Sequence, residues 1–128
     1  MLDVLRDALD IGSASRGCQD GRCGACRVLL DGAVVNACLL RWREVRDGAT
    51  LASYEDLSRD PAAMRVVEAF LAERPTRCRS CVGALAVTAV SLARAKKSGD
   101  NAAVNEAIGE ATCMCTGRGS WRRALAVV

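Results

Sequence analysis

Eight cysteines and no histidine decide which chemistry is open to this chain of 128 residues. Three of the cysteines lie within nine residues, in the segment CQDGRCGAC at positions 18–26. In a reducing compartment, such a dense set favours metal binding or redox chemistry over disulfides. The missing histidine excludes zinc sites with histidine ligands, Rieske centres and histidine-ligated haem, and it removes the usual general base.

The first four cysteines have the spacing of an iron–sulfur loop. They follow C-x4-C-x2-C, with the fourth cysteine 12 positions after the third, as in plant-type [2Fe–2S] ferredoxins. The ligands predicted for this first cluster are Cys18, Cys23, Cys26 and Cys38. Its sulfides attract backbone N–H donors, and a loop that turns its amides inward must adopt positive φ angles. The glycines predicted to allow this are Gly17, Gly21 and Gly24.

A second set of four cysteines lies in the C-terminal half. A C-x2-C pair precedes an apolar segment and a C-x-C pair precedes the last predicted helix, an arrangement that would place four thiolates between helices. The ligands predicted for a second cluster are Cys78, Cys81, Cys113 and Cys115. Zinc or disulfides are alternatives for the thiols, although zinc more often uses paired C-x2-C segments than the C-x4-C of the first loop. Beside an iron–sulfur loop, a second [2Fe–2S] cluster is the better interpretation, and it leaves no cysteine over.

The elements around the first set predict a small α+β unit. One face of a short N-terminal helix carries Leu2, Leu5 and Leu9. After the glycine-rich loop, RVLLDGAVVN predicts two strands joined by a tight turn at Asp31 and Gly32, because both residues tolerate positive φ. The ATL segment that follows the next Asp-Gly pair indicates a further strand.

The character of the sequence changes near residue 58, and the remainder predicts four helices. Asp60 and Pro61 form a helix start, with a capping acid and a proline in the first turn. Residues 82–97 predict a second helix, which is apolar around most of its circumference. A third and a fourth helix follow, the last one after Ser120.

Composition and charge limit the partners and the location. The chain is 51 % hydrophobic and 26 % charged, as soluble globular proteins are. A net charge of +3 with scattered arginines does not indicate nucleic-acid binding. The longest nearly apolar run, residues 82–93, is too short for membrane insertion, and the N-terminus lacks a secretory signal, so a cytoplasmic location is expected. Both tryptophans, Trp42 and Trp121, are expected to be packing residues.

The sequence around the first loop resembles a known family. CQDGRCGACRVLLDGAVVNACL is similar to the iron–sulfur signature of the molybdenum hydroxylases, the group of xanthine dehydrogenase, aldehyde oxidoreductase and carbon monoxide dehydrogenase. The segment LDVLRDAL, before the loop, and CMCTG, at positions 113–117, are similar as well. The resemblance implies a truncated plant-ferredoxin-like β-grasp domain over residues 1–57, without the leading hairpin of the family, and a four-helix [2Fe–2S] domain over residues 58–128.

The resemblance also implies a function and partners. The chain would be a subunit without catalytic residues that relays electrons through two [2Fe–2S] clusters. The electrons would pass from a molybdopterin dinucleotide on a large partner subunit to FAD on a further subunit, or to another acceptor, within a heterotrimeric oxidoreductase. The second cluster would lie nearer the molybdopterin. A stand-alone two-cluster ferredoxin, a zinc-stabilised interaction module and a structural subunit that keeps its clusters without turnover are the alternatives.

The sequence departs from the family pattern around the second set. RCRSCVGA, at positions 77–84, stands where the family usually has Q-C-G-x-C-T-P-G. Arg77 replaces the glutamine, and it is expected either to form part of a solvated or subunit-facing basic surface or to raise the cluster's potential or contact the pterin phosphates. In the first loop, Gln19 stands where a glycine is common.

Overall fold

The first half of the chain forms a three-stranded sheet, and helices follow it. The structure is a computed structural model that describes residues 1–74, 79–100, 102, 123, 124 and 126–128. In chain order its elements are a π-helical turn Val4–Ala8, strands β1 (Arg27–Leu30) and β2 (Ala33–Asn36), a 3-10 turn Trp42–Glu44, strand β3 (Leu51–Ala52), and helices α1 (Tyr54–Leu57), α2 (Pro61–Ala72) and α3 (Arg79–Ser98). The expected combination of helices with a small sheet is confirmed.

The predicted hairpin is present with the predicted turn. Asp31 has a φ of 50° and Gly32 a φ of 85°, and two consecutive positive φ angles give the turn whose twist matches that of the flanking strands. The two strands pair antiparallel, with Val28 opposite Val35. Strand β3 pairs with the other edge of β1, so the sheet order is β2-β1-β3. A further strand is therefore present close to the ATL segment, although only the last residue of that segment, Leu51, belongs to it.

The N-terminal helix forms as a single wide turn. The Leu9 N–H donates to the Val4 carbonyl at 3.1 Å, a spacing of five residues that is typical of a π-helix. Leu2 and Leu5 are buried, as predicted, but Leu9 is 55 % exposed. The expectation that Leu9 shares one helical face with the two buried leucines was wrong, because the turn is π-helical and Leu9 is its C-terminal cap.

Helix α2 begins as predicted. The Asp60 carboxylate accepts a hydrogen bond from the Ala62 N–H at 2.9 Å, and Pro61 occupies the first turn. Helix α3 covers Arg79–Ser98, so it already includes three residues before the predicted start at position 82. Helix α1 was not predicted. The third and fourth predicted helices, and with them Trp121, fall outside the described residues or are described only in isolated positions.

The sheet lies between the N-terminal turn on one face and the helices on the other. Cys26 and Val28 pack with Leu5 on the first face. On the opposite face, Leu29 packs in one hydrophobic cluster with residues of α2 and α3, among them Val67 and Val87. This core joins the two halves of the chain, while the domain division at residues 57 and 58 stays a prediction. Within the described ranges, every helix is too short or too polar to cross a membrane.

Candidate functional site

The first cysteine set is assembled by the loop before β1 and by the hairpin. Cys18 and Cys23 lie on the loop, Cys26 directly precedes β1, and Cys38 follows β2. The hairpin returns the chain to the loop: the Ala37 N–H donates to the Cys26 carbonyl at 3.2 Å, and the Cys38 N–H donates to the Cys26 sulfur at 3.4 Å. Cys38, distant in sequence, therefore adjoins Cys26 in space.

Backbone amides surround the sulfurs and reveal two pairs of cysteines. The Cys23 N–H donates to Cys18 Sγ at 3.2 Å, and the Cys18 N–H donates to Cys23 Sγ at 3.4 Å. The Ala25 N–H also donates to Cys23 Sγ, at 3.4 Å. One pair is thus Cys18 with Cys23, and the other is Cys26 with Cys38. All five cysteines that the structure describes are free thiols, which argues against the disulfide alternative for the first set.

The loop glycines serve two different purposes. Gly21 and Gly24 have φ angles of 81° and 65°, as predicted for residues that turn amides inward. The reason given for Gly17 was wrong, because its φ is not positive; instead, a Cβ at this position would lie 2.5 Å from the Cys23 sulfur. The positive φ near Cys18 belongs to Gln19, at 61°, at the position where the family commonly has glycine.

The thiols of the first set differ in their readiness to ionise. Burial, together with the neighbouring Cys38 and Cys23 thiols, raises the pKa of Cys26 to about 11, although the Cys38 N–H donor acts in the opposite direction. Burial also acts against ionisation of Cys23, but the N–H donors of Cys18 and Ala25 outweigh it and hold the pKa of that thiol below its ordinary value. A buried thiol of high pKa becomes a thiolate readily only when a cation replaces its proton, as a bound metal does.

The pairwise arrangement fits a two-iron group better than a single ion. The four thiols of the first set are grouped as Cys18 with Cys23 and Cys26 with Cys38. Structural zinc needs four ligands around one ion, whereas a [2Fe–2S] cluster takes two thiolates on each of two irons. The amide donors to the sulfurs and the close fit at Gly17 are the surroundings that such a cluster requires.

One cysteine of the second set shares a hydrophobic cluster with residues of the first loop. Cys81 lies in the first turn of α3, is 8 % exposed, and belongs to a hydrophobic cluster with Ala25 and Phe70. Cys23 packs against the same cluster. Helix α3, which contains Cys81, therefore packs in one cluster with the first loop. The other predicted residues of this site, Arg77, Cys78, Cys113 and Cys115, lie outside the described residues.

Three contacts that the sequence did not reveal hold the loop in place. The Ser13 N–H donates to Glu55 Oε1 at 2.8 Å, and the Ser13 hydroxyl donates to Glu55 Oε2. Burial disfavours the Glu55 carboxylate, but the two Ser13 donors outweigh burial, so the pKa of Glu55 lies below its ordinary value. Helix α3 approaches the same serine, because a Cβ on Gly83 would lie 2.6 Å from Ser13 Cβ. Glycine at position 83, where the family has proline, thus permits this close packing.

An exposed apolar surface lies beside Cys38. Leu39 is 58 % exposed and covers the loop, since a Cβ on Gly21 would lie 2.6 Å from its Cδ1 atom. Trp42, three residues further on, is 59 % exposed, so within the described part of this chain it is not the packing residue that the sequence predicted. Arg41 and Arg43 flank it and are also exposed.

Relatives with known names share nearly the whole chain, although no protein-family model matches it. The chain is 35 % identical over 117 residues to the nicotine 6-hydroxylase small subunit of Paenarthrobacter nicotinovorans, a match that covers 91 % of this chain and 70 % of that protein. It is 30 % identical over 121 residues to a probable xanthine dehydrogenase subunit of Bacillus subtilis, covering 94 % of this chain and 69 % of that protein.

Solved structures share the fold. Aldehyde oxidoreductase from Desulfovibrio gigas matches with a TM-score of 0.80 and 28 % identity, over 98 % of this chain and 14 % of that chain. Quinoline 2-oxidoreductase from Pseudomonas putida 86 matches with a TM-score of 0.72 and 26 % identity, over 97 % of this chain and 76 % of that chain. The chain thus spans a small part of the first enzyme and about three quarters of the matched chain of the second.

These likenesses and the cysteine loop define the class as iron–sulfur proteins of oxidoreductase complexes. The nicotinate dehydrogenase small FeS subunit of Eubacterium barkeri, 27 % identical over 117 residues, is a further relative of this class. The chain belongs to the family of small iron–sulfur subunits of molybdenum hydroxylases. The resemblance inferred from the sequence is confirmed, and so is the electron-transfer role that it implies.

Proposed function

We propose that this chain holds two [2Fe–2S] clusters and passes electrons from a molybdopterin site on a large partner subunit to an acceptor on another subunit. The observation that carries the proposal is the packing of Cys23 and Cys81 against one hydrophobic cluster, which joins the two cysteine sets within a chain of this family. A [2Fe–2S] cluster supplies one-electron redox chemistry when it is bound.

The residues of the first site fit such a cluster in detail. Cys18 and Cys23 would hold one iron, and Cys26 and Cys38 the other, because these are the pairs that share amide–sulfur hydrogen bonds. The amide donors stabilise thiolate charge, and the hairpin between β1 and β2 keeps Cys38 at a fixed position. Gly21 and Gly24 give the loop its positive φ angles, and Gly17 leaves room for the Cys23 sulfur.

The second site rests on fewer described residues. Cys81 is buried at the start of α3, and we assign it with Cys78, Cys113 and Cys115 to a second cluster held by a four-helix domain over residues 58–128. Arg77 remains a candidate for a contact with this cluster or with the pterin. The substrate would react on the partner subunit, so this chain would contribute no catalytic residue.

The acceptor is proposed to dock beside the first site. Leu39 and Trp42 form an exposed apolar surface next to Cys38, and the exposed arginines at positions 41 and 43 favour an acidic partner surface. An FAD-binding subunit in a heterotrimer is the partner that we propose for it. The free thiols agree with a reducing, cytoplasmic location, which stays part of the proposal.

Electron paramagnetic resonance on the purified complex tests the two-cluster proposal. After reduction with dithionite, we expect two distinct [2Fe–2S] signals. Cys38→Ser should alter one signal and Cys81→Ser the other, because each change removes one ligand sulfur from a different set. A single signal that responds to both changes would contradict the assignment of the cysteines to two clusters.

A further inference from the structure

Arg27 is a buried cation directly after a cluster ligand. It is the first residue of β1, follows Cys26, and is 5 % exposed. Among the described residues it is the one charged side chain that is buried. Because side chains alternate along a strand, Arg27 lies on the face of Leu29, towards the helices, and not on the face of Cys26 and Val28.

The guanidinium group of Arg27 lies against the cysteine loop. A Cβ built on Gly24 would lie 2.9 Å from both Cζ and Nε of Arg27 and 3.2 Å from Nη2. Gly24 stands between Cys23 and Ala25, whose N–H donates to the Cys23 sulfur. The absence of a side chain at position 24 therefore allows a positive charge to approach the backbone that surrounds the first site.

A fixed positive charge at this place acts on the redox equilibrium. An arginine side chain stays charged when it is buried. A [2Fe–2S] cluster with four thiolates is negatively charged, and reduction adds a further electron. Coulomb attraction is stronger in the protein interior than in water, so a buried cation stabilises the reduced form more than the oxidised form. Net charge and surroundings of this kind are what set the potentials of iron–sulfur clusters.

We propose that Arg27 raises the reduction potential of the first cluster through the positive charge of the guanidinium group that lies against Gly24. The inference rests on the proposed function, since it requires a cluster at the first site. A raised potential favours the presence of the electron on the first cluster, next to the exposed surface of Leu39 and Trp42. Arg27 thereby gives the relay its direction towards the acceptor.

A redox titration followed by electron paramagnetic resonance tests this role. In the purified complex, Arg27→Gln should lower the reduction potential of the first cluster by about 59 mV, which corresponds to a tenfold change in the equilibrium of a one-electron couple. Arg27→Lys keeps the charge and should retain most of the potential. Arg65→Gln, which removes an exposed arginine on α2, away from the proposed docking surface, is the matched control and should leave the potential unchanged.

Two results would overturn the inference. One is an Arg27→Gln complex with full iron content and the wild-type potential, since Arg27 would then only hold the loop in shape. If Arg27→Gln does not retain iron, the reduction potential of the Arg27→Lys complex decides. An Arg27→Lys potential as low as the value expected for loss of the charge would show that the charge does not raise the potential. A wild-type complex without iron and sulfide would instead refute the proposed function itself.

Discussion

At the scale of single residues, the positive φ angles of Gly21 and Gly24 could be predicted, because a loop that turns its amides inward needs them. The spacing of the first four cysteines also predicted that they lie together, while their role as iron ligands stays a prediction. The role of Gly17 could not be predicted, because it depends on where the Cys23 sulfur lies in space. Arg27 also carries no sequence signal, since a lone arginine at the start of a strand is usually exposed. Its burial follows from the approach of the loop at Gly24.

Gly17→Ala should impair the first site. The new methyl group would lie 2.5 Å from the Cys23 sulfur and displace this ligand, so the iron content should fall, with a loss of stability of about 1–3 kcal/mol. Iron per chain and the free energy of unfolding are the measurements. Gly12→Ala is the matched control, because a Cβ at position 12 meets nothing within 4 Å. Equal iron content in both variants would show that the space at Gly17 does not matter.

At the scale of the elements, the hairpin and the start of α2 follow from local signals, namely the Asp31-Gly32 turn and the Asp60-Pro61 cap. Helix α1 and its contact with the loop could not be predicted. The helix has four residues, too few for a periodic pattern, and Glu55 meets Ser13 across 42 positions of sequence. A single sequence contains no signal for hydrogen bonds between residues so far apart.

Glu55→Gln should destabilise the fold by about 1–2 kcal/mol, because an amide cannot accept both hydrogen bonds that Ser13 donates and carries no charge. Denaturant unfolding at pH 7 measures the change. Glu68→Gln is the matched control, since Glu68 is exposed on α2. A loss of the same size in both variants would contradict the role of the Ser13–Glu55 contact.

The effect of Glu55 should depend on pH. Its pKa is lowered in the folded state, so its contribution is complete above the unfolded value of roughly 4.3 and is lost as the pH falls through the folded value. Thermal unfolding of the wild type and Glu55→Gln, compared at each pH from 7 downwards, should therefore show a constant difference that shrinks only below about pH 4.3. A difference that already shrinks near pH 6 would point to another group.

At the scale of the whole molecule, the sheet and the helices share a core, and Cys23 and Cys81 both pack in one of its hydrophobic clusters. The sequence predicted two cysteine sets and a helix after the second, but it contained no information on this shared packing. The exposed position of Trp42 was missed for a related reason. An aromatic residue is buried either in its own fold or against a partner chain, and a single sequence does not distinguish the two.

Trp42→Gln should weaken the association with the acceptor subunit, since it removes an exposed aromatic side chain at the centre of the proposed docking surface. Co-purification of the subunits and their dissociation constant are the measurements, and a loss of about tenfold or more is expected. Leu9→Gln is the matched control, because Leu9 is similarly exposed but lines a cleft with Leu51 and Glu55. Unchanged association of the Trp42 variant would place the acceptor elsewhere.

Metal and sulfide analysis tests the central claim most directly. The complex is purified without oxygen, and iron, zinc and acid-labile sulfide are measured per copy of this chain. Two [2Fe–2S] clusters predict about four irons and about four sulfides. Zinc without sulfide would contradict the account, because the eight cysteines would then hold single ions that cannot carry an electron.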